Sequence, residues 1–206
     1  TEENMLERQK LRGHPQVVAA LEQAWVKLRT SPSRLEYAQY VNMSRVIYLA
    51  LKAHAGESDF SPDDCMESVE EDWMQDARGK DHMTRDDFYM CWFELCDVNT
   101  ATIEVREYVE WIEGVLSRIW VPGDGCFVSD CDLLHTIRES TEMKPAEYVK
   151  LCGRWARHFE VALRPDQLAE RKEKRSSVRG SIKSGRASIK AVSAAKKAIS
   201  AATATP

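Results

Sequence analysis

The sequence predicts an all-α fold: a compact bundle of about seven helices with EF-hand-like loops, followed by a basic C-terminal arm. Apolar residues recur at spacings of three and four through most of the chain, which is the period of an amphipathic helix. Serine, proline and glycine stand where these periodic segments begin and end. With 43% hydrophobic residues the chain can bury one core of ordinary size. No apolar run approaches the ~18 residues that a membrane helix needs, so no membrane contact is expected.

The first three predicted helices have clear start or stop signals. The first begins at Pro15, because proline is favoured at the first helical position, and it is stopped by Ser31-Pro32-Ser33. The second follows that segment and ends at Gly56, which can adopt the left-handed conformation of a helix C-cap. The third begins at Ser61, whose hydroxyl can cap the helix, with Pro62 at the first helical position.

Four further helices complete the predicted bundle, and almost no β structure is expected. Thr84 and Asp87 can form a capping box at the start of the fourth helix. The fifth helix follows Glu104, the sixth begins after Ser129 and the seventh begins at Pro145. Four tryptophans fall at helical spacing and are predicted to lie in the core. They are Trp25, Trp73, Trp92 and Trp155.

The composition changes at residue 167, which divides the chain into a helical body, residues 1–166, and a basic arm, residues 167–206. From residue 171 onward ten cations stand against the single acid Glu173, a charge of +9, so the net charge of −4 leaves −13 for the preceding residues. An arm of this composition cannot bury enough apolar surface to fold alone, and it is expected to be disordered or helical on a partner. The ten predicted partner-binding residues are Arg171, Lys172, Lys174, Arg175, Arg179, Lys183, Arg186, Lys190, Lys196 and Lys197.

Three serines of the arm are candidate phosphorylation sites. Ser177, Ser181 and Ser188 each follow an arginine by two residues and precede an aliphatic residue. This spacing resembles the substrate pattern of basophilic kinases. Phosphorylation of all three would add about −5 charge and offset much of the positive charge of the arm. Chance recurrence in a low-complexity tail is the alternative interpretation.

Residues 76–88 have the outline of an EF-hand calcium loop. Asp76 stands at the first ligand position and Asp87 at the twelfth. Arg78 and Lys80, however, occupy the third and fifth positions, where calcium requires oxygen ligands. The sequence therefore predicts that the shape of the loop is retained without its calcium site.

A second candidate loop begins at Asp97 and supplies the weak metal candidates Asp97, Asn99 and Glu107. It is one residue short if Ile103 is its hydrophobic position, and one of its ligand positions is an alanine. Its start lies 21 residues after Asp76 (97 − 76), so a single helix must lie between the two loops. A calcium sensor that uses this second loop is one alternative function.

No arrangement of residues indicates catalysis, a cofactor or a small-molecule substrate. Cys131 and His135 share a helix face, but no second pair of ligands completes a zinc site. No nucleophile has a plausible base, so the protein is not expected to be an enzyme. The cysteines lie among helix-like segments and are expected to be buried thiols of a reducing compartment. They are Cys65, Cys91, Cys96, Cys126, Cys131 and Cys152.

The run EEDWMQDARGKDHMTRDDFYMCWFELCDVNTATIEVREYVEWIEGVLSRI resembles a helical module found in proteins of motile cilia and flagella. The preceding run SRLEYAQYVNMSRVIYLAL resembles the helix that leads into that module. The resemblance covers about residues 33–120 and excludes the arm. It implies a degenerate EF-hand-like domain that docks within an axonemal assembly, and it implies no catalytic residues. The residues that carry it are Trp73, Phe93, Glu94, Leu95, Asp97, Glu107 and Tyr108.

These features together predict a cytoplasmic structural protein of the ciliary or flagellar axoneme, with an arm that binds an acidic surface. The microtubule is the natural candidate because tubulin surfaces are strongly acidic, and other axonemal proteins are expected as further partners. A nucleic-acid-associated protein that uses the same arm is the second alternative. Nucleic acid is less favoured because residues 171–206 contain no aromatic side chain that could stack on bases.

Overall fold

Nine helices and four very short strands lie in the part of the chain that the computed structural model describes, residues 2–57 and 60–177. The prediction of an all-α fold is confirmed. None of these helices is long and apolar enough to cross a membrane. The helices are α1 (Glu2–Arg12), α2 (Pro15–Leu28), α3 (Tyr37–Ala55), α4 (Pro62–Asp76), α5 (Arg85–Asn99), α6 (Val105–Ile119), α7 (Asp130–Thr141), α8 (Pro145–Ala162) and α9 (Pro165–Ser177). The strands form two antiparallel pairs, β1 (Leu35–Glu36) with β2 (His82–Met83), and β3 (Trp120–Val121) with β4 (Cys126–Phe127).

Local signals set several helix ends as the sequence predicts. At the start of α4 the Ser61 hydroxyl accepts a hydrogen bond from the backbone N–H of Asp64 at 3.1 Å. At the start of α5 the Thr84 N–H donates to the Asp87 carboxylate at 3.0 Å, and the Asp87 N–H donates to the Thr84 hydroxyl at 3.3 Å. Gly56 ends α3 in the left-handed conformation, with φ of 62°. These residues satisfy backbone groups that a helix end leaves without partners.

Helix α1 has no predicted counterpart, and α9 includes residues 167–177 of the arm, which were expected to be disordered or helical on a partner but form a helix against the body. Both are strongly polar, so no apolar stripe marks them in the sequence. An ion pair between Arg8 and Asp97 holds α1 against α5. An ion pair between Arg171 and Glu70 holds α9 against α4, and Leu168 packs against the core. Contacts between residues far apart in the sequence therefore secure both ends of the described chain.

Helix α3 is the centre of the bundle, with α4, α6 and α7 packed against it. Helix α2 packs against α5 and α6, and α8 packs against α4 and α7. Aromatic contacts join these helices: the Trp73 ring of α4 lies edge-on to Tyr40 of α3, with 5.0 Å between centroids. The prediction of core tryptophans is confirmed, because Trp25, Trp73, Trp92 and Trp155 are each no more than 1% exposed.

The cysteines depart from the predicted burial. Three are buried (Cys65, Cys91 and Cys96), two are exposed (Cys126 and Cys131), and Cys152 is half-buried. The prediction is wrong for the two exposed residues because both lie outside the apolar stripes of the helices. Cys126 lies on β4, and Cys131 lies in the first turn of α7, before the buried residues of that helix.

The predicted boundary between body and arm, after residue 166, lies within α9. Residues 167–177 continue a helix that begins at Pro165. The rest of the arm, residues 178–206, lies outside the described residues, and the candidate phosphorylation sites Ser181 and Ser188 lie there. Ser177 is the last residue of α9, and its backbone alone is described.

Candidate functional site

The loop that begins at Asp76 is one half of a pair of similar loops. In each, a buried hydrophobic residue in a short strand stands seven positions after the last residue of the preceding helix. Leu35 follows Leu28 of α2 in this way, and Met83 follows Asp76 of α4. Leu35 and Met83 are opposite each other in the β1–β2 pair, and both are fully buried. Two helix–loop–helix units, α2–α3 and α4–α5, are thus joined through the paired loops, residues 29–36 and 77–84.

This pairing differs from the one that the sequence suggested. The second loop was expected to begin at Asp97, but Asp97 lies inside α5, and the partner of the Asp76 loop is residues 29–36. That partner was missed because Leu28, a buried apolar residue, stands at its first ligand position and the loop contains no acid before Glu36. The equal spacing from helix end to buried strand residue is the signal that would have identified it.

In the Asp76 loop a lysine side chain of the protein occupies the place of a bound cation. The carboxylate of Asp87, at the twelfth ligand position, binds the Lys80 ammonium, with 2.6 Å between Oδ2 and Nζ. Arg78 makes a longer contact with the same carboxylate, at 3.8 Å between Nε and Oδ1. The Asp87 side chain is 4% exposed and also accepts a hydrogen bond from the Thr84 hydroxyl at 2.6 Å. The cations in the third and fifth positions thus neutralise a carboxylate that calcium would otherwise bind.

Hydrogen bonds satisfy the carboxylates at both ends of this loop. Burial alone would raise the pKa of Asp87, but hydrogen bonds from Lys80 and Thr84 hold that pKa below its ordinary value. At the first ligand position, the buried Asp76 accepts a hydrogen bond from the Tyr40 hydroxyl at 3.0 Å. Burial and the nearby Asp76 raise the pKa of Tyr40 well above its ordinary value, so this hydroxyl stays protonated and remains a donor.

The backbone of the loop also departs from that of a calcium loop, which makes its sharp turn at a glycine in the sixth position. Here the sixth position is Asp81, and the positive φ angles occur earlier, 51° at Arg78 and 73° at Gly79. An L-residue in this region is uncommon and costs on the order of 1–2 kcal/mol. The turn is therefore displaced toward the start of the loop, and both backbone and side chains disfavour calcium.

The weak metal candidates Asp97 and Asn99 have other partners. The Asp97 carboxylate accepts hydrogen bonds from the Arg8 guanidinium and the Tyr108 hydroxyl. The Asn99 side chain donates to the backbone carbonyl of Leu95 at 2.7 Å, within the same helix. Asp97 therefore joins α5 to α1 and α6, and Asn99 stabilises the end of α5.

The third candidate, Glu107, stabilises the turn that precedes α6. Its carboxylate accepts hydrogen bonds from the backbone N–H of Ala101 at 2.6 Å and of Thr102 at 2.8 Å. Among the described residues, no three His, Cys, Asp or Glu side chains form a group that could hold a metal ion. Glu107 thus accepts hydrogen bonds from the backbone, and Asp97 accepts them from side chains of neighbouring helices.

The first helical segment of the basic arm is attached beside the paired loops. The Arg171 guanidinium pairs with Glu70, which also accepts a hydrogen bond from the Tyr37 hydroxyl at 2.5 Å. Lys172 Nζ lies 3.5 Å from Asp81 Oδ2. The first pair is the more shielded, because its side chains are 26% and 25% exposed, against 67% and 61% for the second. Arg171 is therefore the stronger link between arm and body.

Two of the ten predicted partner-binding residues, Arg171 and Lys172, thus contact the body itself. The side chains of the other eight lie outside the described residues. A cleft of about 330 Å³ lies between α9 and the β1–β2 pair, and its lining includes Arg34, His82 and Leu168. The described start of the arm therefore lies beside the paired loops.

No family model, curated protein or solved structure matches this chain. Function is therefore inferred from the chain's own residues and contacts.

We expect calcium to leave the stability of the folded chain unchanged. An ion that binds only the folded state at 100 times its Kd would add about 2.7 kcal/mol to the free energy of unfolding. Thermal unfolding of the full chain in millimolar calcium should instead match unfolding in a chelator. Asp97→Ala tests the second predicted loop: a calcium-dependent rise in Tm that this substitution abolishes would contradict the expectation and favour a calcium sensor.

Proposed function

We propose that the protein is a non-catalytic docking component of the ciliary or flagellar axoneme. In this proposal the helical body packs against neighbouring proteins, and the basic arm binds an acidic surface such as that of the microtubule. The observation that carries the proposal is the separation of charge along the chain, +9 from residue 171 onward against −13 before it. A basic segment of this density attracts acidic polymers and raises the rate of encounter with them.

The attachment of α9 supports an arm with a defined starting point. Because Leu168 packs against the core and Arg171 pairs with Glu70, the helix is held at successive turns. The cations beyond α9 therefore begin from a fixed place on the body, which favours one orientation of the body on a bound surface.

The contacts within the Asp76 loop favour constitutive docking over calcium sensing. A sensor changes conformation when the ion binds and orders its loops. Here the Lys80 ammonium already neutralises Asp87, and the β1–β2 pair already joins the two loops. We therefore place the calcium sensor second to the docking role.

The full chain should co-sediment with microtubules, and removal of the positive charges beyond α9 should weaken binding about tenfold or more. Each exposed ion pair contributes roughly 0.2–1 kcal/mol, and six are removed. Binding should also weaken steeply with salt, because screening acts over ~8 Å at physiological ionic strength. Arg171 and Lys172 are kept, so α9 keeps its contacts with the body. The residues to replace with glutamine are Arg179, Lys183, Arg186, Lys190, Lys196 and Lys197.

Matched variants of the arm, and microtubules with and without their acidic tails, show whether co-sedimentation depends on charge. Glutamate at Ser177, Ser181 and Ser188 should weaken co-sedimentation, whereas alanine at the same positions should not. Binding should fall on microtubules whose acidic tubulin tails have been removed by protease. Equal binding to cleaved microtubules would indicate that the arm binds in the microtubule lumen or on an accessory protein. Absence of binding to either kind, together with tight binding to DNA at the same salt, would contradict the proposed role of the arm.

The axonemal assignment has its own test, which does not depend on the arm. A tagged full chain expressed in a ciliated cell should localise along the axoneme and resist detergent extraction. A diffuse cytosolic or nuclear distribution would contradict the assignment even if the arm binds microtubules in vitro.

A further inference from the structure

The outward face of α8 carries a row of cations on a body that is otherwise acidic. Residues 144–164 contain five lysines and arginines and two glutamates, a charge of +3, so the other residues before 171 carry −16 (−13 − 3). Lys150, Arg154 and Arg157 are spaced by four and three residues, which places them on one face of the helix. All three residues are exposed. They form the α8 basic row, which is about 10 Å long at 1.5 Å per residue.

The cations of the α8 basic row have no acidic partner within the described chain. None of the three side chains forms an ion pair or a hydrogen bond with another described residue. Several exposed cations elsewhere on the body do have such partners: Arg34 pairs with Glu36 at 3.0 Å, and Arg85 pairs with Glu22 at 2.8 Å. The row is therefore a set of charges that an acidic group of another molecule can neutralise.

Packing on the opposite side of α8 holds the row in a fixed position. Leu151, Trp155 and Phe159 are buried there, and α8 packs against α4 and α7. The outward face has a small and an aliphatic residue beside the cations, Gly153 and Val161, and Val161 is 43% exposed. The aromatic side chains of α8 all lie on the core side, so none can stack on a base. These features fit a polypeptide better than a nucleic acid.

We propose that the α8 basic row binds an acidic segment of a partner protein, such as an acidic tubulin tail; the choice of tubulin rests on the proposed function. Carboxylates of an extended acidic segment can pair with successive cations of the row, and arginine can bind a carboxylate through two parallel hydrogen bonds. The rest of the body repels an acidic surface, and screening over ~8 Å confines that repulsion to the nearest charges. The body should therefore approach such a surface with α8 foremost. Together with the arm, the row gives two points of attachment, which strengthens binding without a new contact at either point.

The test uses the full chain in which the six lysines and arginines beyond α9 are replaced by glutamine, so that the arm does not contribute to binding. Binding of a fluorescent polyglutamate peptide is measured by anisotropy at low salt, and binding to microtubules is measured by co-sedimentation. Glutamine at Lys150, Arg154 and Arg157 should weaken peptide binding about threefold or more, because three exposed ion pairs are lost. The same triple substitution should weaken co-sedimentation. Exchange of lysine and arginine at these positions, Lys150→Arg with Arg154→Lys and Arg157→Lys, should retain most of the binding.

A matched triple variant changes the net charge equally without touching α8. Lys27, Arg106 and Arg118 are exposed cations of α2 and α6, and glutamine at these positions should leave peptide binding unchanged. Equal weakening by the two triple variants, or no weakening by the α8 variant, would overturn the proposal. Tighter binding of duplex DNA than of polyglutamate at the same salt would also overturn it. So would a dimer that forms without peptide and that only the α8 variant abolishes, because the partner would then be a second copy of this chain.

Failure of this inference can be told apart from failure of the proposed function. If the α8 basic row binds polyglutamate while neither the row nor the arm binds microtubules, the inference stands and the proposed function fails. If the row binds neither probe while the arm binds microtubules, the proposed function stands and the inference is overturned.

Discussion

Trp92→Ala should lower the free energy of unfolding by about 3–5 kcal/mol, which makes it one of the two most damaging substitutions that we predict. The Trp92 indole is fully buried in α5 and stacks on Phe88, with 5.5 Å between ring centroids. Its N–H donates to the sulfur of Met43 in α3 at 3.4 Å. Truncation to alanine removes the contact between these helices and leaves a cavity that the packed bundle can fill only in part. Urea unfolding followed by far-ultraviolet circular dichroism measures the loss without relying on tryptophan emission.

A half-buried tryptophan supplies the control for this substitution. Trp111 packs against the core but is not fully enclosed, so Trp111→Ala removes the same atoms and should cost less than half as much. Trp92→Phe gives a second measurement if the alanine variant does not fold. A loss below about 1 kcal/mol for Trp92→Ala would mean that the indole lies on the surface or at an interface.

The sequence predicts the helix ends well because each is set by neighbouring residues. Ser61 and the Thr84–Asp87 capping box act over a few positions, and the left-handed Gly56 needs no distant partner. The core tryptophans are predictable for a similar reason, since apolar periodicity reports the buried face of each helix directly. Local rules thus account for seven helices and for the approximate position in the sequence at which the basic arm begins.

The contacts that position the candidate site could not be read from the sequence, because they join distant residues. Arg171 pairs with Glu70 across 101 positions, and nothing in the polar sequence of α9 indicates which acid it meets. Asp97 lies inside α5 and pairs with Arg8, 89 positions away, and no local pattern indicates that partner. The partner loop at residues 29–36 was missed because its first, third and fifth ligand positions are Leu28, Thr30 and Pro32, none of which is acidic. In each case tertiary contacts decided what the local pattern left undetermined.

Asp87→Ala should cost about 2–4 kcal/mol, because one carboxylate holds the end of the loop and the start of α5 together. Asp87 binds Lys80 and accepts hydrogen bonds from the N–H and hydroxyl of Thr84. Asp86 is a matched control, since it lies in the same helical turn and is exposed. Asp86→Ala removes the same charge beside the helix dipole and should cost about 0.3–1 kcal/mol. Equal losses for the two variants, measured by urea unfolding, would contradict the assigned role of Asp87.

Lowering the pH should distinguish the stability of Asp87→Ala from that of Asp86→Ala further. The pKa of an aspartate in the unfolded chain is about 3.9, and the pKa of Asp87 in the folded chain lies below its ordinary value. Its contribution to stability is therefore present above about pH 4 and is lost as the pH falls through the folded-state pKa. The difference in unfolding free energy between wild type and Asp87→Ala should narrow between about pH 7 and about pH 3, while that of Asp86→Ala stays small. If the difference for Asp87 does not change with pH, the charge on Asp87 does not hold Lys80, and the lysine does not take the place of a calcium ion.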